Sequence, residues 1–469
     1  MKGEKRKVVI IPPTKEQKKE IAKLKRSLVC GKDGTVRNSI RNYEEILTRD
    51  PRLAGAIRRN EMTERNHIVR DLGWHRNPEE PVTDTDVNYL RLWIETEYGV
   101  SSEKNLVAAM DVVANEWRYH PVRDKLNSLV HDGVSRIPYV LHHFLGAEVT
   151  DINTAFMTVW LLEAIARVFY PGIKADLMLC LTGDQGAGKS SFFQFMAMKD
   201  EWFTDDIKRL DDENVCRKLF GHLIVELSEM SAMGKARIEE IKAFISRLSD
   251  TYKVPYERHP RDFRRQCVFC GSANRKEFLP PDRSGNRRFM PVEIDSRKAE
   301  VHILEDEAAS RAYCEQVWAE AMEIFRSGDY SLALPKEIEK QLDVYQQDFL
   351  PVDDRVGMIT GYLERTGTDS VCSRMIYREA FTEFREPTQN ELREISEMVN
   401  SEIDHGRLPN WRRYPNTRRY ALYGQQRGWE RISQDPETFI DVELPAGLFE
   451  DIPVPADPDP LTTTTTTRG

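Results

Sequence analysis

Long apolar runs are missing from this chain of 469 residues: the most apolar stretches, 159–162 and 177–181, fall far short of the roughly 20 residues that cross a membrane. The start of the sequence is charged and holds only four consecutive apolar residues (8–11), so no secretory signal is expected there. Cysteine is sparse and odd in number: seven scattered residues give no disulfide framework and point to a reducing compartment. No segment repeats with a period of 20 to 50 residues. These absences set aside extracellular and membrane roles, and the expectation is a cytoplasmic location with no membrane partner.

What remains is a globular composition, 40% hydrophobic and 31% charged, in a length that suggests about three domains. The net charge of −9 argues against nucleic acid as a partner, but the average hides an asymmetry. Residues 1–41 hold 13 Lys and Arg against 4 acids, whereas 434–469 hold 8 acids against one Arg and include TTTTTT. Such a tail buries too little apolar surface to offset its ordering entropy, so 433–469 reads as an acidic, Pro/Thr-rich disordered tail. Residues 1–41 read as a basic flexible arm, which either touches a phosphate backbone or is a solvated, partly helical tail.

Between these ends, apolar spacing of three and four predicts a helical region over 42–145, as in YEEILTRDPRLAGAIRRNEM and DTDVNYLRLWIETEYG, the second capped by Asp84 or Thr85. From 146 to 335, strand-like runs (ADLMLCLTG, HLIVEL, QCVFCGSA, RFMPVEI) alternate with helical ones and predict an α/β domain with a mainly parallel sheet. Residues 336–432 turn helical again and finish in WRRYPNTRRYALYGQQRGW, where basic and aromatic residues interleave.

The strongest local signal is GDQGAGKS at 183–190, a full match to G-x-x-x-x-G-K-[ST] lying between a strand and an apolar helix start. In such a loop, formed by Gly183, Asp184, Gln185, Gly186, Ala187, Gly188, Lys189, Ser190 and Ser191, backbone N–H groups wrap the phosphates of ATP. Lys189 reaches the β- and γ-phosphates and Ser190 ligates Mg²⁺. The helix start behind the loop adds partial positive charge. The rival reading is a tight turn. HLIVELSEM then predicts a strand neighbouring that of the loop and ending in Glu226, with Glu229 three residues on. Either acid can hold Mg²⁺ or polarise water, and the spacing does not divide the roles; an ordinary surface or capping residue is the other reading of Glu229. A third strand, QCVFCGSAN, ends at Asn274, an amide able to orient water against a γ-phosphate. Its Cys267 and Cys270 have no second pair nearby, which favours buried strand cysteines over zinc.

Between the second and third strands runs YKVPYERHPRDFRRQ, with Lys253, Tyr256, Arg258, His259, Arg261, Arg264 and Arg265. A basic, aromatic insertion there can contact DNA phosphates and stack on bases, or be a solvated loop paired with acids. In DRSGNRRFMPV, Arg287 and Arg288 precede a short strand; one can reach a neighbouring subunit's γ-phosphate while the other serves as a salt-bridge partner.

The series GDQGAGKS, HLIVELSEM, VPYERH and GSANRKEFLPPDRSGNRRFMPVEI resembles the virulence-associated protein E family, phage, satellite and plasmid ATPases similar to superfamily 3 helicases of the AAA+ class. The flanks HPVRDKLNSLVHDGVSRI, YPGIKADLMLCLTG and WRRYPNTRRYALYG agree, and the resemblance spans about 42–430. It implies an AAA+ P-loop core, a Walker A motif at 183–190 and a Walker B acid at Glu226, helped by Glu229. It also implies a sensor amide at Asn274, an arginine finger at Arg288 or Arg287, and a pore hairpin in 253–265. Family members often carry Trp where this chain has His131 and Met290, both of which read as packing positions. No acidic pair or zinc pattern of a primase occurs in the first ~140 residues, so priming falls to a separate primase or host replication protein.

The expectation is therefore an ATP-dependent DNA helicase, translocase or replication initiator of a phage or other mobile element in a bacterial host. It would work as a homo-oligomeric ring, a hexamer by resemblance, on single-stranded DNA, with duplex DNA as a further partner. The segment 336–432 is expected to be a winged-helix-like module gripping phosphates through Arg412, Arg413, Arg418 and Arg419 on a hairpin over 411–423, or else a lid or subunit contact. The rivals are an AAA+ scaffold that binds origin DNA and recruits a host helicase, and a protein remodeler indifferent to DNA.

Overall fold

The computed structural model describes residues 11–77, 80–207, 210, 215–228, 230, 235–252, 260–279, 286–351 and 354–432. The expected acidic tail lies outside them. Two compact units, Met1–Pro351 and Val352–Gly469, divide the chain.

The first unit opens with α1 (Lys15–Ser27), α2 (Ile40–Arg49), β1 (Ile57–Asn60), β2 (Arg65–Ile68), α3 (Asp84–Tyr98), α4 (Glu103–Glu116) and β3 (Arg118–Tyr119). Residues 15–27 are no loose arm: Thr14 and Gln17 close a capping box on α1, and Ile21, Leu24 and Leu28 are buried with Tyr43, Ile46 and Trp93. The helix expected over 43–62 stops at Arg49, because Asp50 precedes Pro51 and takes an extended backbone. The chain then forms β1, which pairs antiparallel with β2 and parallel with β3, so the N-terminal region is mixed rather than all-helical. Thr83, not Asp84 or Thr85, caps α3, in a box with Asp86.

Next come α5 (Pro121–Ser128), α6 (Val140–Leu145), α7 (Asp151–Phe169), β4 (Met178–Thr182), α8 (Lys189–Met196), β5 (Phe203–Thr204), α9 (Val215–Leu219), β6 (Ile224–Leu227), α10 (Lys235–Ile245), β7 (Ser249–Tyr252), β8 (Arg261–Arg264), β9 (Val268–Ala273), β10 (Phe289–Glu293), α11 (Glu307–Ser327) and α12 (Lys336–Tyr345). Five strands form a parallel sheet in the order β10-β4-β9-β6-β5, and β7 pairs with β8 as an antiparallel hairpin. Side chains alternate between its faces: Leu179, Leu181, Val268, Cys270, Met290 and Val292 join one core, while Met178, Cys180, Phe269 and Phe289 join the other. Cys267 and Cys270 thus fall in opposite cores.

Helix α7 is long and apolar enough to span a membrane by length and composition, but 78% of that apolar window is buried, so its surface is already covered by the fold. Helix α12 packs on α7 through Ile338 and Leu342. The break between units therefore falls at Pro351, not at the expected 335.

The second unit contains α13 (Asp354–Arg365), β11 (Ser370–Cys372), a helical turn α14 (Ser373–Met375), α15 (Gln389–Asp404), β12 (Trp411–Arg413), β13 (Arg418–Tyr420), β14 (Gly424–Gln426) and β15 (Gly428–Arg431). Its antiparallel sheet runs β11-β15-β12 over a core of Ile359, Val371, Ile395, Trp411 and Trp429, and β13-β14 forms a separate hairpin. The hairpin expected over 411–423 is displaced: β12 pairs with β15, and the turn instead joins Tyr420 to Gly424.

Candidate functional site

The glycine loop leaves β4 at the carboxyl edge of the parallel sheet. Gly183 passes so close to β10 that a Cβ there would lie 2.7 Å from Ile294 Cγ1 and 2.8 Å from its carbonyl oxygen. Gly186 and Gly188 take left-handed backbone (φ 81° and 84°), which a side chain would oppose, and they turn the chain back over itself into α8. Gly188 offers α8 no side-chain cap, so the first-turn N–H groups have no side-chain acceptor at the loop. Asp184, Gln185, Gly186 and Ser190 are exposed along the loop, Gly188 and Ser191 are half-buried and Ala187 is buried.

Lys189 is only 6% exposed, and its Nζ donates to the carbonyls of Gly183 and Asp184, both at 2.8 Å, and to Asn274 Oδ1 at 3.2 Å. Burial lowers its pKa against the pull of Asp184 and Glu226. Asn274 follows the end of β9, so the amide and the lysine meet above two neighbouring strands.

Ser190 Oγ donates to Glu226 Oε1 at 2.9 Å. Glu226 differs from its sequence expectation in two ways: it sits inside β6 rather than at its tip, and β9 separates β6 from the loop strand β4. The helix that follows the loop, rather than strand adjacency, carries Ser190 across to it. The carboxyl is fully buried, its Oε2 makes no hydrogen bond, and burial pushes its pKa up against the Ser272 and Ser190 hydroxyls. Ser272, a hydroxyl in an otherwise apolar strand, escaped the sequence reading; that contrast was its one available signal. Beside the loop lies a cleft of about 490 Å³, lined among others by Asp184, Asn274, Asp295 and Tyr345.

Other expected residues fall elsewhere or outside view. Glu229, Lys253, Tyr256, Arg258 and His259 lie outside the described residues. Arg264 is exposed on β8, whereas Arg265 is buried in a two-bond pair with Asp250. Arg287 and Arg288 precede β10, whose start pairs with the start of β4, so they lie at the opposite edge of the sheet from the loop. Arg288 donates to Ser246 Oγ at 2.9 Å and meets Asp176 at 3.3 Å, while Arg287 is exposed. In the second unit Arg412 and Arg418 share Glu430 and Arg413 takes Asp404; Arg419 is exposed and forms no ion pair with a described acid. Met290 is fully buried as a packing residue, and His131 hydrogen-bonds Glu323 at 2.8 Å.

Fold and site together define an α/β protein with a glycine loop around a buried lysine at the carboxyl edge of a five-stranded parallel sheet. Residues 126–350 match the family model of the virulence-associated protein E-like domain. Among solved structures, two of the NrS-1 C-terminal region in an apo A form share 12% identity with it. Each match covers 80% of this chain and 96% of the other at a TM-score of 0.44. No curated protein matches the chain.

Proposed function

We propose that this protein is an ATP-dependent DNA translocase or replication initiator of a phage or other mobile element, working as a homo-oligomeric ring. The observation that carries the reading is the convergence of Lys189, Asn274, Ser190 and Glu226 on one glycine loop. The residues present fit a nucleotide with Mg²⁺: the loop amides and left-handed glycines suit phosphate oxygens, and the unpartnered Glu226 Oε2 beside the Ser190 hydroxyl suits a divalent cation. Bound there, Mg²⁺ would draw charge off the phosphates. Lys189 would exchange its two carbonyls for the β- and γ-phosphates, and Asn274 would orient the attacking water. Glu226 would accept that water's hydrogen bond, with Glu229 as the other candidate.

Of the two arginines, Arg287 is the better trans-acting group, because Arg288 is committed to Asp176 and Ser246. Both sit roughly 16 Å from their own loop, the length of a five-residue strand, which supports a second copy of the chain as the source of the arginine. That favours a ring, with a hexamer by resemblance. The hairpin segment 253–265 would meet single-stranded DNA, and the second unit, read as winged-helix-like, would offer Arg419. A separate primase or host replication protein would complete initiation.

ATP hydrolysis with and without single-stranded DNA, beside Lys189→Ala, tests the motor. Strong DNA stimulation is expected, and hydrolysis indifferent to DNA would favour a protein remodeler. Strand separation by the pure protein distinguishes a motor from a scaffold, which shows none.

A further inference from the structure

At the edge of the central sheet opposite the glycine loop, a cleft of about 360 Å³ opens between the N-terminal β-sheet and the β7–β8 hairpin. Arg118 and Arg123 line it from one side, Arg261 and Arg264 from the other, with Phe263 between them. Past Arg118 and Arg261 it continues as an open groove of about 470 Å³ bordered by Arg59 and Asn115. Five guanidinium groups from four separate elements thus face one continuous trough.

Two carboxylates at the β1–β2 turn organise them. Glu64 meets Arg59 at 3.0 Å, Arg261 at 3.3 Å and Arg118 at 4.0 Å, while Glu61 meets Arg123 at 3.2 Å and Arg118 at 3.9 Å. Glu64 does this from a left-handed backbone (φ 52°), uncommon for a residue with a Cβ. The remaining acids are engaged differently, Asp262 with Thr251 and Asp111 with Asn66. Arg264 pairs with no described acid.

We propose that this cleft seats the phosphates of a single nucleic-acid strand, and that Glu61 and Glu64 hold its arginines in place until phosphates displace them. A guanidinium fork accepts a carboxylate or a phosphate in the same two-bond geometry, so the glutamates occupy positions that phosphate oxygens can take over. Half-buried Phe220 lines the cleft beside Phe263, their ring centroids 4.7 Å apart, and gives a base an aromatic side chain to meet. This rests on the nucleic-acid reading above, and it adds N-terminal residues that the hairpin alone does not include.

The test is anisotropy of a fluorescein-labelled oligo-dT titrated with the full chain over a range of salt. Arg59→Ala with Arg118→Ala should weaken binding about ten-fold and flatten the log–log salt dependence by about 1.4, two phosphate contacts at ~0.7 each. Glu64→Gln should tighten binding at low salt, a gain that no folding defect produces. Unchanged affinity in both variants, with wild-type binding intact, overturns the cleft and leaves the broader reading standing. Absence of wild-type binding overturns both. Displacement of the arginines' contacts by poly-glutamate but not by oligo-dT assigns the trough to an acidic peptide and overturns the nucleic-acid assignment.

Discussion

Ser190 Oγ donates to one oxygen of Glu226 at 2.9 Å, while the other oxygen of that carboxylate is buried without a partner. Burial raises the pKa of Glu226 in the folded chain above its unfolded value. Its favourable contribution to stability is therefore present below the unfolded pKa and is lost as pH rises through the folded one. Glu226→Gln should melt higher than wild type at pH 8, by about 2–4 °C, and the gap should close toward pH 4. Mg²⁺ should raise the wild-type midpoint at pH 8 and leave the variant unmoved. Thermal melts at both pH values, with and without Mg²⁺, check this; equal curves would remove Glu226 from the cation site.

Lys189→Ala takes the donor from the Gly183 and Asp184 carbonyls and the charge from the loop. Stability should fall by about 1 kcal/mol, while hydrolysis falls by about 10² to 10³ or more. A fluorescent nucleotide titration beside a melt separates the two effects.

Arg287 and Arg288 should fail in different ways. Arg288→Ala loses the Asp176 and Ser246 contacts and should lower the melting midpoint of the isolated chain. Arg287→Ala should melt like wild type yet hydrolyse ATP poorly once assembled. Mixing Arg287→Ala with Lys189→Ala protein should restore hydrolysis at mixed interfaces; no recovery would place the arginine's role within its own chain.

His120 caps α5 through Nδ1, which accepts the Arg123 N–H at 3.1 Å, so its proton sits on Nε2 toward Gln266 Oε1 at 2.6 Å. Burial, aided by the Arg123 charge, lowers its pKa. The stability it contributes is complete above the unfolded value near 6.5 and is lost as pH falls through the folded one, where a second proton destroys the cap. His120→Asn keeps a capping oxygen without that titration. Its midpoint should change less than that of wild type between pH 7.5 and pH 5.5.

Gly428 has no room for a side chain: a Cβ would lie 2.1 Å from the Val371 carbonyl on the neighbouring strand. Gly428→Ala should destabilise the second unit by about 2 kcal/mol or more through strand displacement. Two separate transitions by calorimetry, with only one shifted, would localise the loss.

The glycine loop was legible because its chemistry is local: eight consecutive residues carry their own geometry. The parallel α/β core was legible too, since strands buried on both faces leave continuous apolar runs such as MLCLT. Strand order was not, because nothing in β6 or β9 encodes which of them lies beside β4; that depends on helices packing from both faces. β1 carries no strand signal, because IRRN has no apolar alternation of its own and is held by pairing on both sides. The hairpin at 418–426 is hidden for a similar reason: Trp411 pairs with a strand that comes later in the chain. The trough arginines, spread from 59 to 264, carry no shared spacing and meet only after folding.

Strand β9 has a role at each end. Before it, Gln266 holds His120 and the Glu61 carbonyl; after it, Asn274 holds Lys189. The nine residues between and including them span about 26 Å of extended chain at ~3.3 Å per step, clamped by a strand on either side. Its two ends are therefore held at a fixed separation: Asn274 stands at the glycine loop, and Gln266 touches the turn where Glu61 and Glu64 gather the arginines.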